Sequence, residues 1–187
     1  MSTFTALDKQ FLLALARSTV AARLYAGTQV FPPADVSSAV HEKRGCFVTL
    51  HKKRALRGCI GTIEPLTALI EGVAENAINA AFHDPRFPSL TAAELPQVNF
   101  EISVLTVPRA LEFRDGEDLK QQLKPGVHGV ILSRGGRRST FLPQVWEQLP
   151  DPNSFLSHLC QKGGMESLCW QDPGTTVQVY EAEYFEE

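Results

Sequence analysis

The fold is decided by one stretch of the sequence, Ala55-Leu56-Arg57-Gly58-Cys59-Ile60-Gly61-Thr62-Ile63. The run from Leu56 to Ile60 and the earlier run from Gly45 to His51 are rich in the β-branched, aliphatic and aromatic residues that are typical of strands. About four residues, Lys52 to Ala55, separate the two runs, so the sequence predicts a β-hairpin at this position.

The hairpin brings an arginine and a thiol together. Successive side chains on a strand point to opposite faces, so Arg57 and Cys59 are expected on one face, about 6.5 Å apart along the backbone. A guanidinium can reach across that gap and stabilise a thiolate. The chain then enters a predicted helix from about Leu66 to Phe82, whose free N–H groups can bind an anion and lower the pKa of a nearby thiol.

Two interpretations of this stretch follow. In the first, Cys59 is a reactive or ligand-contacting thiol, and Arg57 anchors an anionic group. In the second, Cys59 is a small core residue and Arg57 is a structural ion-pair partner, as is common for free cysteines. Gly58 and Gly61 weaken a strand, so they mark a bulge or a close approach by another backbone or a ligand.

Length and composition restrict the class of protein. The chain has 187 residues and a formal net charge of −3, which suits one sizeable domain or two small lobes sharing a core. This charge offers no broad attraction to nucleic acid or to an anionic membrane. No apolar run approaches the roughly 20 residues that span a bilayer, and the N-terminus lacks the pattern of a signal peptide. We therefore expect a cytoplasmic protein with no nucleic-acid or membrane partner.

The cysteines predict no metal site. Cys46, Cys59, Cys160 and Cys169 form no CxxC motif and do not have the spacing of zinc ligands. In the cytosol, reduced thiols are the expected state of all four.

The remaining sequence predicts an α+β fold with packed helices and an antiparallel or mixed sheet, because most strands arrive as hairpins and not as βαβ units. A capping box at Thr5–Asp8 begins a helix that runs to about Leu24, and Gly27 with Pro32-Pro33 begins a loop. Further predicted elements are short helices at 118–123 and 151–162 and strands at 100–105, 129–133, 139–142 and 177–185. The chain has no P-loop, GxGxxG, GxSxG or HExxH motif.

Four stretches taken in order resemble the AMMECR family, whose prokaryotic members are called AmmeMemoRadiSam system protein A. They are Leu56–Gly61 (LRGCIG), Asp84–Pro88, Phe100–Leu105 and Thr140–Val145. The hexapeptide is highly specific for the family, and the resemblance covers nearly the whole chain. It implies a single AMMECR-type domain over 1–187, with two unequal lobes that share a core and form a cleft near the hexapeptide. It also implies Memo-like and radical SAM proteins as partners, and it supplies neither a settled reaction nor a cofactor.

The family pattern also implies a set of site residues. Cys59 is the candidate catalytic residue. The candidate ligand-binding residues from this pattern are Arg57, Gly58, Gly61, Asp84, Arg86, Glu101 and Gln144, and Thr62 of the central stretch is a further candidate.

Two functions are in close competition. One is a cleft enzyme that acts on a small anionic substrate, with Cys59 as nucleophile and Arg57 at the anion. No base is evident for it beyond His51 and His83, which are close in sequence. The alternative is a non-catalytic module that binds a metabolite, or a Memo-like or radical SAM partner. A nucleic-acid binder ranks third because of the net charge.

Overall fold

The computed structural model describes residues 4–27 and 35–187. Its helices are α1 (Ala6–Leu24), α2 (Leu69–Phe82), α3 (Gly116–Gln122) and α4 (Pro152–Lys162). Its strands are β1 (Cys46–Lys52), β2 (Ala55–Thr62), β3 (Val98–Leu105), β4 (Arg109–Ala110), β5 (Gly129–Arg134), β6 (Arg137–Phe141), β7 (Thr176–Tyr180) and β8 (Ala182–Glu186). The α+β class is confirmed. The predicted loop at Pro32-Pro33 lies outside the described residues.

The chain divides into two compact units. The first contains the described residues up to Leu105 together with Glu183–Glu187, and the second contains Thr106–Ala182. The buried hydrophobic side chains form one cluster in each unit. Two expectations stay predictions: that the chain is a single AMMECR-type domain with a shared core, and that a cleft lies near the hexapeptide.

The first unit is a four-stranded sheet, in the order β2-β1-β3-β8, packed against two helices. α2 contacts β1 and β2, while α1 contacts β3 and α2. Val48, Leu50, Phe100 and Ile102 point into this core and are fully buried. We call the opposite side of the sheet the outer face. It carries the alternate residues Phe47, Thr49 and His51 of β1, Cys59 of β2, and Asn99, Glu101 and Ser103 of β3.

The β1–β2 hairpin is confirmed, with longer strands than the sequence predicted. Lys52 pairs with Ala55, so the turn contains only Lys53 and Arg54, both in the left-handed region with φ of 53° and 66°. Leu50 pairs with Gly58 but His51 pairs with Leu56. Arg57 is therefore an extra residue on β2, a β-bulge that interrupts the alternation of side chains.

The two long helices of the first unit differ in how well their starts were predicted. The Thr5–Asp8 capping box and the end of α1 at Leu24 are confirmed. The predicted start of α2 near Leu66 is wrong, because Ala68 forms a bridge with Lys43 and holds the chain extended until Leu69. The N–H of Leu69 donates to the carbonyl of Glu42, so this first amide is not free for an anion.

The second unit has a sheet in the order β4-β7-β5-β6, with antiparallel pairs. The predicted hairpin turn at Gly135-Gly136 is confirmed, and both glycines have positive φ. The predicted single strand over 177–185 is wrong. The chain breaks at Glu181, whose N–H and carbonyl both hydrogen-bond to Thr106, so β7 and β8 belong to different sheets.

The prediction of four reduced cysteines is wrong for two of them. Cys160 and Cys169 form a buried disulfide, because the turn through Gly163 and Gly164 brings the end of α4 back toward Cys169. Cys46 and Cys59 are free, and they lie on opposite faces of the first sheet. Across the described ranges, no helix is both long and apolar enough to cross a bilayer.

Reducing the Cys160–Cys169 disulfide is expected to destabilise the protein by about 2.7 kcal/mol, from the chain entropy released by opening a loop of this length. Equilibrium urea denaturation of the oxidised protein and of protein held in dithiothreitol measures this difference. Superimposable curves would contradict it.

His128 is expected to make the stability of the second unit depend on pH. Its side chain is buried, and Nδ1 accepts the N–H of Lys124 at 3.2 Å. Burial lowers its pKa, and Arg109 and Lys124 lower it further. The unfolded state therefore binds the proton more readily, so stability should fall as pH drops below about 6.5.

Urea denaturation between pH 8 and pH 5 measures this effect. His128→Asn retains an acceptor for Lys124 and should flatten the slope, while the exposed His158→Asn should keep the wild-type slope. Equal slopes for wild type and His128→Asn would contradict the assignment.

Candidate functional site

The hexapeptide lies on β2, the edge strand of the first sheet. A Cβ on Gly58 would overlap the backbone carbonyl of Ala80 in α2, and a Cβ on Gly61 would overlap the ring of Phe47. The two glycines therefore allow close approach by a helix backbone and by an aromatic ring. Ligand binding by Gly58 and Gly61 stays a prediction.

An aspartate–arginine pair caps the edge of β2 at Cys59. The Cys59 N–H donates to Asp84 Oδ2 at 2.9 Å, and Arg86 Nη2 donates to the Cys59 carbonyl at 3.2 Å. Arg86 also binds Asp84 through two nitrogens, at 2.9 and 2.7 Å. The pair satisfies the backbone groups that a neighbouring strand would otherwise bind, which protects an edge from unwanted pairing.

The two members of this pair differ in exposure. Asp84 is buried, and its pKa is lowered mainly by the hydrogen bonds from Arg86, with the Cys59 N–H adding to the effect. The Arg86 side chain is 54% exposed. Its guanidinium is thus held in one orientation at the Cys59 carbonyl, while about half of the side chain faces solvent.

The Cys59 thiol is partly buried on the outer face. Thr49, its partner across the hairpin, lies with Oγ1 3.3 Å from Sγ. Burial raises the pKa of the thiol, Thr49 and Arg86 oppose that rise, and the charges of Asp84 and Glu101 add to it. The net effect is a raised pKa, so the group is a neutral thiol near pH 7.

Arg57 does not lie at the thiol, contrary to the sequence prediction. It is 8% exposed, and it donates to both carboxylate oxygens of Glu94 at 3.2 and 3.1 Å and to the Pro88 carbonyl at 2.9 Å. The bulge explains the error, because it breaks the alternation that placed Arg57 beside Cys59. The guanidinium at Cys59 is that of Arg86, and ligand binding by Arg57 stays a prediction.

Glu94 is the shared acceptor of two cations. Lys52 Nζ donates to it at 2.9 Å, in addition to Arg57. The hydrogen bonds from Arg57, and then from Lys52, lower the pKa of Glu94 to about 2. In the sequence Glu94 stands out only as part of a capping box with Thr91, and its pairing with β2 depends on tertiary structure.

Glu101 lies in line with Cys59 and Thr49 on the outer face. It pairs with Thr49 on β1, so Cys59, Thr49 and Glu101 follow one another across three strands. We call these three residues the Cys59 row. Burial raises the pKa of Glu101, and His51, with Nδ1 4.0 Å from the carboxylate, opposes that rise. Thr49 was not predicted as a site residue, because its place depends on the register of β1.

The other predicted residues lie apart from this row. Thr62 is exposed at the end of β2. Gln144 lies in the second unit, in the turn that follows β6. His83 is exposed and contacts Asn79 through Nδ1 at 3.0 Å. Within residues 4–27 and 35–187, no group of three or more His, Cys, Asp or Glu is arranged to hold a metal ion.

Comparison with known proteins identifies the family. The AMMECR1 family model matches residues 13–185. The chain belongs to the AMMECR1 family.

Archaeal AMMECR1 relatives align along most of their length. A protein from Thermofilum pendens is 38% identical over 198 residues, covering 100% of this chain and 93% of the relative. A protein from Methanothermobacter thermautotrophicus is 40% identical over 177 residues, covering 94% and 92%. The crystal structure of uncharacterized protein PH0010 from Pyrococcus horikoshii matches with a TM-score of 0.87 and 37% identity, covering 96% of this chain and 91% of that one. The names of these relatives assign no activity.

Proposed function

We propose that this AMMECR1 protein is a non-catalytic binding module, in which the outer face around Cys59 and Arg86 contacts a ligand or a partner protein. The observation that carries the proposal is the state of the thiol. Cys59 has a raised pKa, and within the described ranges no histidine or lysine hydrogen-bonds to its sulfur. A nucleophilic cysteine needs a lowered pKa or an adjacent base.

The surroundings of Cys59 suit recognition. Asp84 fixes Arg86 through two hydrogen bonds while leaving half of the arginine side chain exposed. A guanidinium held in this way loses little conformational freedom when it binds an anionic or carbonyl group. The proposed partners are the Memo-like and radical SAM proteins that the family resemblance implies.

The pH dependence of Cys59 alkylation tests the chemistry of the thiol. The native protein is treated with iodoacetamide without reductant, and the Cys59 peptide is quantified by mass spectrometry. We expect the rate to rise only as the pH approaches or passes the ordinary thiol pKa of about 8.5. Arg86→Gln should move that rise to still higher pH, and Arg23→Gln, at an exposed position on α1, should not.

Two outcomes would overturn the proposal. A midpoint below pH 7 would indicate an activated nucleophile and an enzyme. A thiol that reacts only after unfolding would show that Cys59 cannot contact a ligand.

Partner binding is tested separately by co-purification with a Memo-like protein and with a radical SAM protein. Arg86→Glu should abolish capture, and Arg23→Glu should preserve it. Equal capture by the two variants would exclude the Arg86 surface as the contact.

The second candidate function is that of an enzyme, and the position of Glu101 favours it. This half-buried carboxyl has a raised pKa and lies in the same row as Cys59, one strand beyond Thr49. A carboxyl with a raised pKa holds its proton more readily than an ordinary one, which suits a general acid. If Glu101→Gln moved the Cys59 alkylation midpoint by a pH unit or more, the two groups would be functionally coupled and the enzyme would be favoured.

A further inference from the structure

A second polar feature of the first unit is a cavity of about 680 Å³ beside the hairpin turn. Lys53 and Arg54 of the turn line it, with His51 and Asn99, which pair across β1 and β3. Gln97, Glu186 and Glu187 complete the wall. The volume lies in the range of small-molecule sites.

The backbone of the turn is conformationally unfavourable for the residues it contains. Lys53 and Arg54 both have left-handed φ, at 53° and 66°, where a two-residue hairpin turn usually has Asn-Gly. Strained positions often coincide with function. The presence of lysine and arginine at these positions therefore indicates that their side chains have a function that outweighs the backbone strain.

The ion pairs around the cavity leave the charges of Lys53 and Arg54 available to bind a ligand. Within the described part of the chain, neither Lys53 nor Arg54 forms an ion pair, whereas the adjacent Lys52 is bound to Glu94. Glu187 is engaged by Arg17, at 2.6 Å from Nε, and by the N–H of Phe100 at 3.0 Å. Glu186 is the exposed carboxylate that remains on the wall.

We infer that this cavity binds the oxyanion group of a small polar metabolite. Lys53 and Arg54 hold a phosphate or a carboxylate, and Asn99 and Glu186 accept hydrogen bonds from hydroxyl or amine groups of the same molecule. The inference rests on the proposed function, because it names the class of ligand that the proposed binding module takes. His51 joins the cavity to the Cys59 row, because it lies on the outer face two residues from Thr49 and 4.0 Å from Glu101.

The test is a titration of the ¹⁵N-labelled protein with inorganic phosphate and, separately, with succinate, both against sodium chloride at matched ionic strength. We expect saturable amide shifts at residues 51–54 and 99. A stronger response to phosphate identifies a phosphorylated ligand, and a stronger response to succinate identifies a carboxylate.

Turn variants separate binding from folding. The double variant K53N/R54G supplies the preferred turn residues, so its melting temperature should rise while its affinity for the anion falls at least tenfold. R54Q keeps the backbone strain, removes one charge and should also weaken binding. R23Q is the matched control and should bind like wild type.

Three results would overturn the inference: no saturable shift with either anion, the same shifts with chloride alone, or unchanged affinity in K53N/R54G. The proposed function has its own readout in Cys59 alkylation and partner capture. Failure of the anion titration with those results intact would therefore reject only this ligand class.

Discussion

Gly58→Ala is expected to lower the free energy of unfolding by about 3 kcal/mol, at the upper end of the usual range for overpacking. The added methyl group would overlap the carbonyl oxygen of Ala80, which belongs to the backbone of α2 and cannot rotate away. To relieve the overlap, α2 must move off β1 and β2, and the core of the first unit opens. Equilibrium denaturation by urea measures the loss.

Gly27→Ala is the matched control for this prediction. Among residues 4–27 and 35–187, no atom lies within 4 Å of a Cβ at Gly27, and the φ of this glycine is not positive. The control should therefore be neutral or slightly stabilising, since alanine reduces the freedom of the unfolded chain. A Gly58→Ala protein as stable as Gly27→Ala would show that α2 and β2 do not approach each other this closely.

Glu94→Gln is expected to destabilise the protein by about 3 kcal/mol, since glutamine keeps an acceptor oxygen but leaves the charge of the buried Arg57 uncompensated. Arg57 has an exposed side-chain fraction of only 10%. Its Nη1 already has no hydrogen-bond partner among the described residues, and its other acceptor, the Pro88 carbonyl, carries no charge that could replace the carboxylate. Glu117→Gln, at a side chain that is 76% exposed, is the control and should change stability very little.

The same carboxylate predicts an acid dependence. The pKa of Glu94 is lowered to about 2 in the folded protein, below the ordinary value of about 4.3. Its contribution is therefore complete above pH 4.3 and is lost as the pH falls toward 2. Stability measured between pH 6 and pH 2.5 should fall less steeply in Glu94→Gln, and parallel profiles would contradict the assignment.

The sequence alone predicted the features that depend on neighbouring residues. The capping box at Thr5, the start of α4 at Asp151 and the Gly135-Gly136 turn are all confirmed. Local backbone preferences determine these features, so a few adjacent residues suffice to predict them. The hairpin of β1 and β2 was found for the same reason, and the hexapeptide within it led to the family.

Features that depend on register and long-range contacts required the tertiary structure. The bulge at Arg57 moved its guanidinium to Glu94, 37 residues away in the chain, and Asp84 placed Arg86 beside Cys59 instead. The Cys160–Cys169 disulfide and the break at Glu181 likewise arise from contacts between segments that the sequence cannot align. The sequence therefore determined the elements and the family, while the tertiary structure decided which charged group lies near Cys59, because one extra residue in a strand reverses the predicted face of the residues on one side of it.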